Sequence, residues 1–336
     1  MKNKIIVTLL AGSLFLAACG QVPAAVQPPV ETAVEQQPEK TATVQAKEEL
    51  KGTLSVSGAF ALYPMMTRWA EEFQKTYPEV EFDISAGGAG KGMTDALSGA
   101  VDIGMVSRAI KAEEEAQGAY WIPVIKDAVF PVVNAKNPVT AEINEQGITQ
   151  DVFRKIFITG EITTWGEVIG NTDISEEIHV YTRSDACGAA EEWAKFLGGL
   201  QEDLLGIGVN ADPGLLEAVI NDPLGIGYNN LGYAFELSSG MVVDGASVVP
   251  IDVNNSGVAE TDEIAANQAA AVDLIASGKY PSPPARDLNL VTNGKPTDLV
   301  QAFLKWILTD GQEFVNESGY VKLPETKLLD AMGKIK

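Results

Sequence analysis

Arg183 is the residue whose neighbours best suit ligand binding. It follows a strand-favouring run at residues 178–181 and precedes Asp185, a turn residue, and a helical pattern that begins at Ala189. The first N–H groups of a helix have no partner within the helix and carry a partial positive charge, so a guanidinium beside them suits a small anion. A second interpretation stays open, in which Arg183 merely pairs with Asp185 and Cys187 is a small buried residue.

Three further stretches place a corner of small or polar residues after a strand-like run. They are residues 57–64 (Ser-Gly-Ala-Phe-Ala-Leu-Tyr-Pro), 85–92 (Ser-Ala-Gly-Gly-Ala-Gly-Lys-Gly) and 101–108 (Val-Asp-Ile-Gly-Met-Val-Ser-Arg). Alternating strands and helices predict the α/β class, in which ligands collect at the carboxyl ends of strands. The second stretch superficially resembles a nucleotide P-loop, but Gly92 stands where that motif needs Ser or Thr, so we reject nucleotide binding.

Composition excludes several other functions. The chain has 336 residues, enough for two domains, with two cysteines, one histidine and a formal net charge of −22. This acidity opposes nucleic-acid binding and requires any anion site to be built locally. Two cysteines give no disulfide framework, and the single His179 leaves a Cys/His metal site poorly supplied, so we expect no metal and no cofactor.

An enzyme with Cys187 as nucleophile is the alternative that the residues allow. A thiol at a helix start beside Arg183 is expected to have a lowered pKa. Such a nucleophile also needs a base, and His179 would lie about 13 Å away along an extended chain at ~3.3 Å per residue. We therefore expect no catalytic residue and no enzyme activity.

The N-terminus predicts export. Lys2 and Lys4 precede an apolar run at residues 5–16 and small residues at 17–20, which is typical of a secretory signal. Because the end of this signal, residues 16–19, resembles the bacterial lipobox, residues 1–19 are interpreted as a lipoprotein signal peptide with Cys19 carrying the lipid. The alternative is a plain signal peptide cut nearby. Residues 20–51 lack an apolar period and read as a disordered tether, and no later stretch reaches the ~18 to 20 apolar residues of a spanning helix.

Taken together, the corners and Arg183 resemble a known family, the phosphate-type solute-binding lipoproteins of bacterial ABC importers (periplasmic binding protein superfamily, type II). The resemblance covers roughly residues 52–330 and includes the stretches Arg-Ser-Asp-Ala-Cys-Gly at 183–188 and Gly-Ile-Gly-Tyr at 225–228. It implies two α/β lobes, each a mixed sheet flanked by helices, joined by two crossing strands, with the anion in the cleft. We expect one lobe at residues 52–132 and 233–336 and the other at 133–232.

The resemblance also assigns the site residue by residue. The matching positions are Ala61, Leu62, Tyr63, Gly88, Ala89, Ser107, Arg183, Cys187, Gly188 and Ala189, with Lys91 and Arg108 as additional cations. Several side chains differ from those of the family's phosphate binders. Leu62, Gly88, Cys187 and Ala189 replace hydroxyl residues, and Ser107 replaces an Asp that accepts the proton of the bound anion.

These replacements remove donors whose hydrogen bonds to a charged group contribute about 1.5 to 3 kcal/mol each. Backbone N–H groups, Ser107 and Arg183 would compensate in part. The resemblance thus implies an importer component that binds phosphate or a related small oxyanion without demanding a protonated one. Its partners would be an importer permease and, through the lipid, the cell membrane, and we expect a monomer. The alternative is a sensor or adhesion lipoprotein of the same fold that binds another small anion.

Overall fold

The computed structural model describes residues 49–336. The predicted signal peptide, the lipidation site Cys19 and nearly all of the predicted tether lie outside the described residues. The strands are β1 Gly52–Gly58, β2 Val80–Ala86, β3 Ile103–Val106, β4 Ala119–Asn134, β5 Ile148–Thr149, β6 His179–Arg183, β7 Ile207–Val209, β8 Gly225–Asn230, β9 Ala246–Val248, β10 Ile251–Asp252 and β11 Ala285–Asn293.

Twelve α-helices lie between and after these strands within residues 49–336. They are α1 Tyr63–Thr76, α2 Ala89–Ser98, α3 Ala112–Ala116, α4 Thr140–Gln146, α5 Gln150–Arg154, α6 Trp165–Ile169, α7 Gly188–Phe196, α8 Asp212–Ile220, α9 Leu231–Ala234, α10 Gln268–Ala276, α11 Asp298–Leu308 and α12 Glu325–Lys334. The predicted α/β class is confirmed. No helix of this part of the chain is long and apolar enough to cross a membrane.

One mixed sheet runs through the whole body in the order β2-β1-β3-β11-β4-β8-β6-β7, and β9 pairs with β4. β1 pairs in parallel with β2 and β3, and β6 pairs in parallel with β7 and β8. β4 is antiparallel to both β11 and β8. The two parallel sets are the ones that carry the predicted corners, and the long strand β4 joins them.

Two separate hydrophobic cores lie along this sheet. In β4, residues between Ala119 and Ile125 belong to the first core and residues between Ala128 and Val133 to the second. Aromatic rings fill both cores: Phe73 contacts Phe303 in the first, and Trp193 stacks on Tyr228 in the second. The chain therefore forms two lobes, and β4 is one of the strands that cross between them.

The chain returns to the first lobe later than the sequence suggests. We expected the return near residue 233, yet Phe235, Leu274, Tyr280 and Ala285 all pack in the second core, and first-core packing resumes at Leu288 in β11. The physical reason is that β8 pairs with the second-lobe half of β4 and so stays within that lobe. The two cores divide near 127/128 and 285/286, and the expected boundary at 232/233 does not coincide with that division.

Close backbone packing fixes the start of α2 on the first-lobe strands. A Cβ added to Gly92 would lie 2.4 Å from the Met105 carbonyl oxygen, and one added to Gly104 would lie 2.2 Å from the Gly92 carbonyl oxygen. Only glycine fits at such distances. The residues 85–92 therefore form a helix start pressed against β1 and β3, with Gly88 as N-cap at φ 89°.

Candidate anion-binding site

The starts of α2 and α7 meet across the two lobes. Gly90 N–H donates to the Ala186 carbonyl oxygen at 3.1 Å. A Cβ on Gly88 would lie 2.9 Å from that same oxygen and 3.0 Å from Asp185 Oδ2. Gly88 and Ala89 are both buried. The glycine-rich corner of the first lobe thus touches the turn that follows Arg183 in the second.

Ser107 and Gly188 form the second contact between the lobes. A Cβ on Gly188 would lie 2.2 Å from the Ser107 carbonyl oxygen and 2.4 Å from Ser107 Oγ. Ser107 is 2% exposed, and Ala189, the next residue of α7, is 1% exposed. The end of β3 therefore reaches the N-terminus of α7, where the first N–H groups of the helix point outward.

Arg183 is buried beside these contacts and is held by two carboxylates. Nε and Nη2 donate to the two oxygens of Asp185 at 2.8 and 2.6 Å, and Nη1 donates to Asp212 Oδ2 at 2.5 Å. Burial alone would lower the pKa of Arg183, but Asp212 and Asp185 raise it, so the guanidinium stays charged. The pairing with Asp185, which the sequence left open as an alternative to ligand binding, is present. The Phe60 ring covers one face of the guanidinium, 5.4 Å from its carbon atom.

The corner before α1 does not offer the expected donors. Leu62 N–H donates to the Ala59 carbonyl oxygen at 3.1 Å, and Tyr63 N–H donates to the Phe60 carbonyl oxygen. Ala61 and Leu62 are buried, whereas Tyr63 is 36% exposed. A 3₁₀ turn at Phe60–Leu62 thus uses the Leu62 and Tyr63 amides, and the structure favours other donors for the anion.

The two additional cations are neutralised by neighbouring carboxylates. Lys91 pairs with Asp95 one helical turn further on and is about half exposed. Arg108 donates to both oxygens of Glu114 at 2.9 and 2.6 Å, and its Nε lies 3.2 Å from Glu191 Oε2 of the second lobe. Both cations are thus paired with carboxylates, and Arg108 forms an ion pair between the lobes. Their contact with an anion stays a prediction.

Cys187 is a capping residue and not an activated thiol. Its Sγ accepts the Ala190 N–H at 3.4 Å at the start of α7. Burial raises the pKa of the thiol to about 12, with Arg183 opposing the shift too weakly to reverse it. The expected lowering of this pKa is therefore wrong. His179 Nδ1 lies 2.6 Å from Asp222 Oδ2 on an exposed surface and provides no base for Cys187.

Sequence analysis missed a buried polar network behind Arg183. Asp212 Oδ1 accepts the Asn230 side-chain amide at 2.6 Å, Asn230 Oδ1 accepts from Arg286 Nη2, and Arg286 Nη1 lies 3.5 Å from Asp127 Oδ2. Burial raises the pKa of Asp127 to about 6, although Arg286 opposes the shift. Two features of the sequence could have indicated this network. Arg286 follows the proline-rich turn at residues 281–284, and the strand β8 ends in polar residues that include Asn230.

Among residues 49–336, no group of three or more His, Cys, Asp or Glu side chains could hold a metal ion. The loop 252–263 has the spacing Asp-x-Asn-x-Ser-Gly-x5-Glu that is typical of calcium-binding loops. Its carboxylates are engaged within the loop itself, since Asp252 Oδ1 accepts the Ser256 N–H at 3.0 Å and Glu263 Oε1 accepts the Val253 N–H at 2.8 Å.

Comparison with known proteins gives one consistent family. Residues 43–311 match the PBP superfamily domain. The phosphate-binding protein PstS of Bacillus subtilis (strain 168) is 27% identical over 338 residues, covering 99% of this chain and 99% of that protein. The phosphate-binding protein PstS of Pseudomonas aeruginosa is 28% identical over 305 residues, covering 83% of this chain and 86% of that protein.

Solved structures show the same fold. A Clostridium perfringens protein, described as a phosphate ABC transporter substrate-binding protein with bound phosphate, has a TM-score of 0.65 at 24% identity, covering 81% of this chain and 100% of that one. An ABC-type phosphate transport receptor from Vibrio cholerae has a TM-score of 0.59 at 20% identity, covering 81% of this chain and 100% of that one. With its two cores, crossing strand and facing helix starts, the chain belongs to the PBP superfamily.

Proposed function

We propose that this chain is the extracytoplasmic phosphate-binding component of an ABC importer. The ligand and the transport role follow from the names of its relatives, which are phosphate-binding and phosphate-transport proteins. The expectation of a binding protein rather than an enzyme agrees with those names. Its partners are then inorganic phosphate and an importer permease.

The observation that carries the proposal is the meeting of two helix starts beside a buried guanidinium. The start of α2 at Gly88 touches the turn at Asp185 and Ala186 that leads into α7, Gly188 at the start of α7 touches Ser107 of the first lobe, and Arg183 pairs with Asp185 in that turn. Helix N-termini and arginine are the groups that proteins use for phosphate. The donors assigned to the anion are the N–H groups of Ala89, Gly188 and Ala189, the Ser107 hydroxyl and Arg183, with no contribution from the corner of α1.

The N-terminal expectations complete the proposal. Cys19 would become the first residue and carry a lipid after cleavage between Ala18 and Cys19, and residues 20–51 would tether the folded body to the membrane. The chain would act as a monomer whose lobes close on one anion. Mass spectrometry of the protein purified from membranes tests the anchor: a diacylglyceryl modification on Cys19 supports it, and a mature N-terminus at any other residue contradicts it.

Isothermal titration of the purified chain tests the ligand. Inorganic phosphate, sulfate and a small dicarboxylate such as succinate are titrated separately at the same pH and ionic strength. The proposal expects heat and saturation at one site per chain with phosphate and a lower affinity for the other two. Saturation by sulfate or succinate without phosphate binding would assign a different ligand to the chain. The absence of binding heat with all three anions would contradict an anion-binding function.

A further inference from the structure

Arg183, the residue expected to bind the anion, already has a second carboxylate hydrogen-bonded to the nitrogen that Asp185 does not use. Asp185 accepts hydrogen bonds from Nε and Nη2 of Arg183 in a bidentate contact and so fixes the plane of the guanidinium. Nη1 is the nitrogen turned away from Asp185, and Asp212 Oδ2 lies 2.5 Å from it. A carboxylate and an oxyanion accept the same charge-assisted N–H bonds, so the two cannot both have full use of Nη1.

We propose that Asp212 is an internal competitor that sets the affinity of the cleft for oxyanions, by occupying Nη1 of Arg183 until the anion displaces it. The inference rests on the proposed function, because it concerns the same cleft. It assigns to Asp212 a role in affinity that is separate from the role of Asp185. Asp185 positions Arg183 for the ligand, and Asp212 opposes the ligand.

Asp212 is built into the structure firmly enough to compete. It is 1% exposed and stands at the first position of α8. Its other oxygen, Oδ1, accepts the Asn230 side-chain amide at 2.6 Å and the Asn230 backbone N–H at 3.3 Å. Three hydrogen bonds therefore hold the carboxylate at Arg183, so displacing it costs an incoming anion part of its binding free energy.

The network around Asp212 continues into the first lobe. Asn230 joins Asp212 to Arg286, and Arg286 Nε donates to the Ser107 carbonyl oxygen at 3.2 Å. These contacts run from Arg183 in the second lobe to the end of β3 in the first. A charge that the chain itself supplies thus satisfies the guanidinium, and an anion gains less from binding Arg183 than it would from binding an unpaired arginine.

The charges around Arg183 and Arg286 also oppose the binding of an anion. Arg183 and Arg286 face three carboxylates, those of Asp185, Asp212 and Asp127. A divalent anion added to this buried group increases a negative surplus in a region of low dielectric, which opposes binding. The N–H groups of a guanidinium lie in its plane, so an anion that accepts from Arg183 approaches in that plane, where Asp212 lies, and the Phe60 ring covers one face of the group.

The test compares two variants of matched chemistry. Asp212→Asn keeps the size of the side chain and an oxygen for the Asn230 amide but removes the charge. Asp185→Asn makes the same change on the other side of Arg183. Isothermal titration of inorganic phosphate is carried out on the wild type and both variants, and thermal unfolding confirms that each is folded. We expect Asp212→Asn to bind phosphate at least about tenfold more tightly than the wild type, and Asp185→Asn to bind it more weakly.

The sign of the change separates competition from a structural role. If Asp212 only supports the fold, its replacement lowers the affinity for phosphate or leaves it unchanged, and that result overturns the inference. Should Asp212→Asn fail to fold, Asp212→Ser keeps a hydroxyl acceptor at the start of α8 and is judged by the same criterion. Phosphate binding by the wild type with no gain in either Asp212 variant overturns this inference alone. Absence of phosphate binding in the wild type and every variant overturns the proposed function together with it. Binding gained only on replacing Asp212 supports this inference and contradicts the proposed function of the wild type.

Discussion

The backbone at the start of α7 faces the opposite lobe, whereas the polar groups at the start of α1 are hydrogen-bonded within their own lobe. At α7, Gly188 has no side chain and its Cα comes close to the Ser107 main chain. At α1, the preceding 3₁₀ turn uses the Leu62 and Tyr63 amides, and the Tyr320 hydroxyl donates to the Ala61 carbonyl oxygen at 2.8 Å.

The difference shows that a helix start is available to a ligand only when nothing else in the fold satisfies it. Both helices have unpaired N–H groups by geometry alone. A residue without a Cβ at α7 lets the other lobe and an anion approach the backbone, while bulky residues at α1 place the polar groups within reach of Tyr320. The predictions below test whether anion binding depends on the α7 corner and is indifferent to the α1 corner.

The largest effect is expected from Gly188→Ala. The added Cβ would lie 2.2 Å from the Ser107 carbonyl oxygen when the lobes are closed. The backbone conformation of Gly188 suits alanine, so the second lobe itself should remain folded. We expect phosphate affinity to fall roughly 100-fold or more, about 2.7 kcal/mol, in isothermal titration. Gly333→Ala, in α12 where an added Cβ meets nothing within 4 Å, is the matched control and should bind as the wild type does. An unchanged affinity in Gly188→Ala would show that the α7 corner is not at the site.

The buried charges behind α7 predict an unusual dependence of stability on pH. Asp127 has a folded-state pKa of about 6, raised chiefly by burial from an ordinary value of 3.8. A raised pKa means that protonation stabilises the folded state, so this contribution is complete below pH ~4 and lost as the pH rises through about 6. At about 1.4 kcal/mol per pKa unit it amounts to at most about 3 kcal/mol.

Urea unfolding of the wild type and Asp127→Asn between pH 4 and pH 7 measures that contribution. The stability of the wild type relative to the variant should increase as the pH falls through 6. Asp222→Asn is a control whose difference from the wild type should stay nearly constant over this range. Burial alone would raise the pKa of Asp222, but hydrogen bonds from Leu224, Tyr181 and His179 lower it below 3.8, so its contribution is lost only below pH ~4. A pH-independent difference between the wild type and Asp127→Asn would mean that Asp127 keeps its ordinary pKa.

The ion pair between Arg108 and Glu191 should have a smaller effect on closure. Glu191 Oε2 lies 3.2 Å from Arg108 Nε and 3.8 Å from Lys111 Nζ, across the lobes. Because the Glu191 side chain is 31% exposed, salt screens the pair, and we expect Glu191→Gln to weaken phosphate binding only about three- to tenfold. Titration at two ionic strengths should show the loss shrinking at high salt. Asp151→Asn removes an ion pair with Lys155 that lies within the second lobe and should leave affinity unchanged. An equal loss in both variants would rule out a specific role in closing the cleft.

The local sequence pattern was enough to predict the corners of small or polar residues that follow the strands. Gly88, Ser107, Arg183 and Gly188 each stand at the end of a strand-like run, and the carboxyl ends of parallel strands gather at one edge of a sheet. The structure brings these four residues to one interface between the lobes.

The partners of Arg183 and the lobe boundary could not be predicted in the same way. Arg286 and Ser107 are 179 residues apart in the chain, and nothing near either residue signals the other. The apolar pattern of β8 shows that it is a strand but not which strand it pairs with, so its pairing with the second half of β4 was invisible. The sealing of α1 by Tyr320 is likewise a long-range contact.

The smallest effect on binding is expected from Tyr320→Phe, which removes the hydroxyl that seals α1. Tyr320 is 1% exposed, and the change leaves the buried Ala61 carbonyl oxygen without its donor, which should cost about 1 to 2 kcal/mol of unfolding free energy in urea. Tyr280→Phe is the matched control, because the Tyr280 hydroxyl donates to the Val129 carbonyl oxygen at 2.7 Å in the second core. Both variants should lose similar stability and keep phosphate affinity within about twofold of the wild type. The loss of even one hydrogen bond to the anion would change the affinity by more than that. A tenfold loss of affinity in Tyr320→Phe without one in Tyr280→Phe would place the start of α1 in the site after all and remove the distinction between the two helix starts.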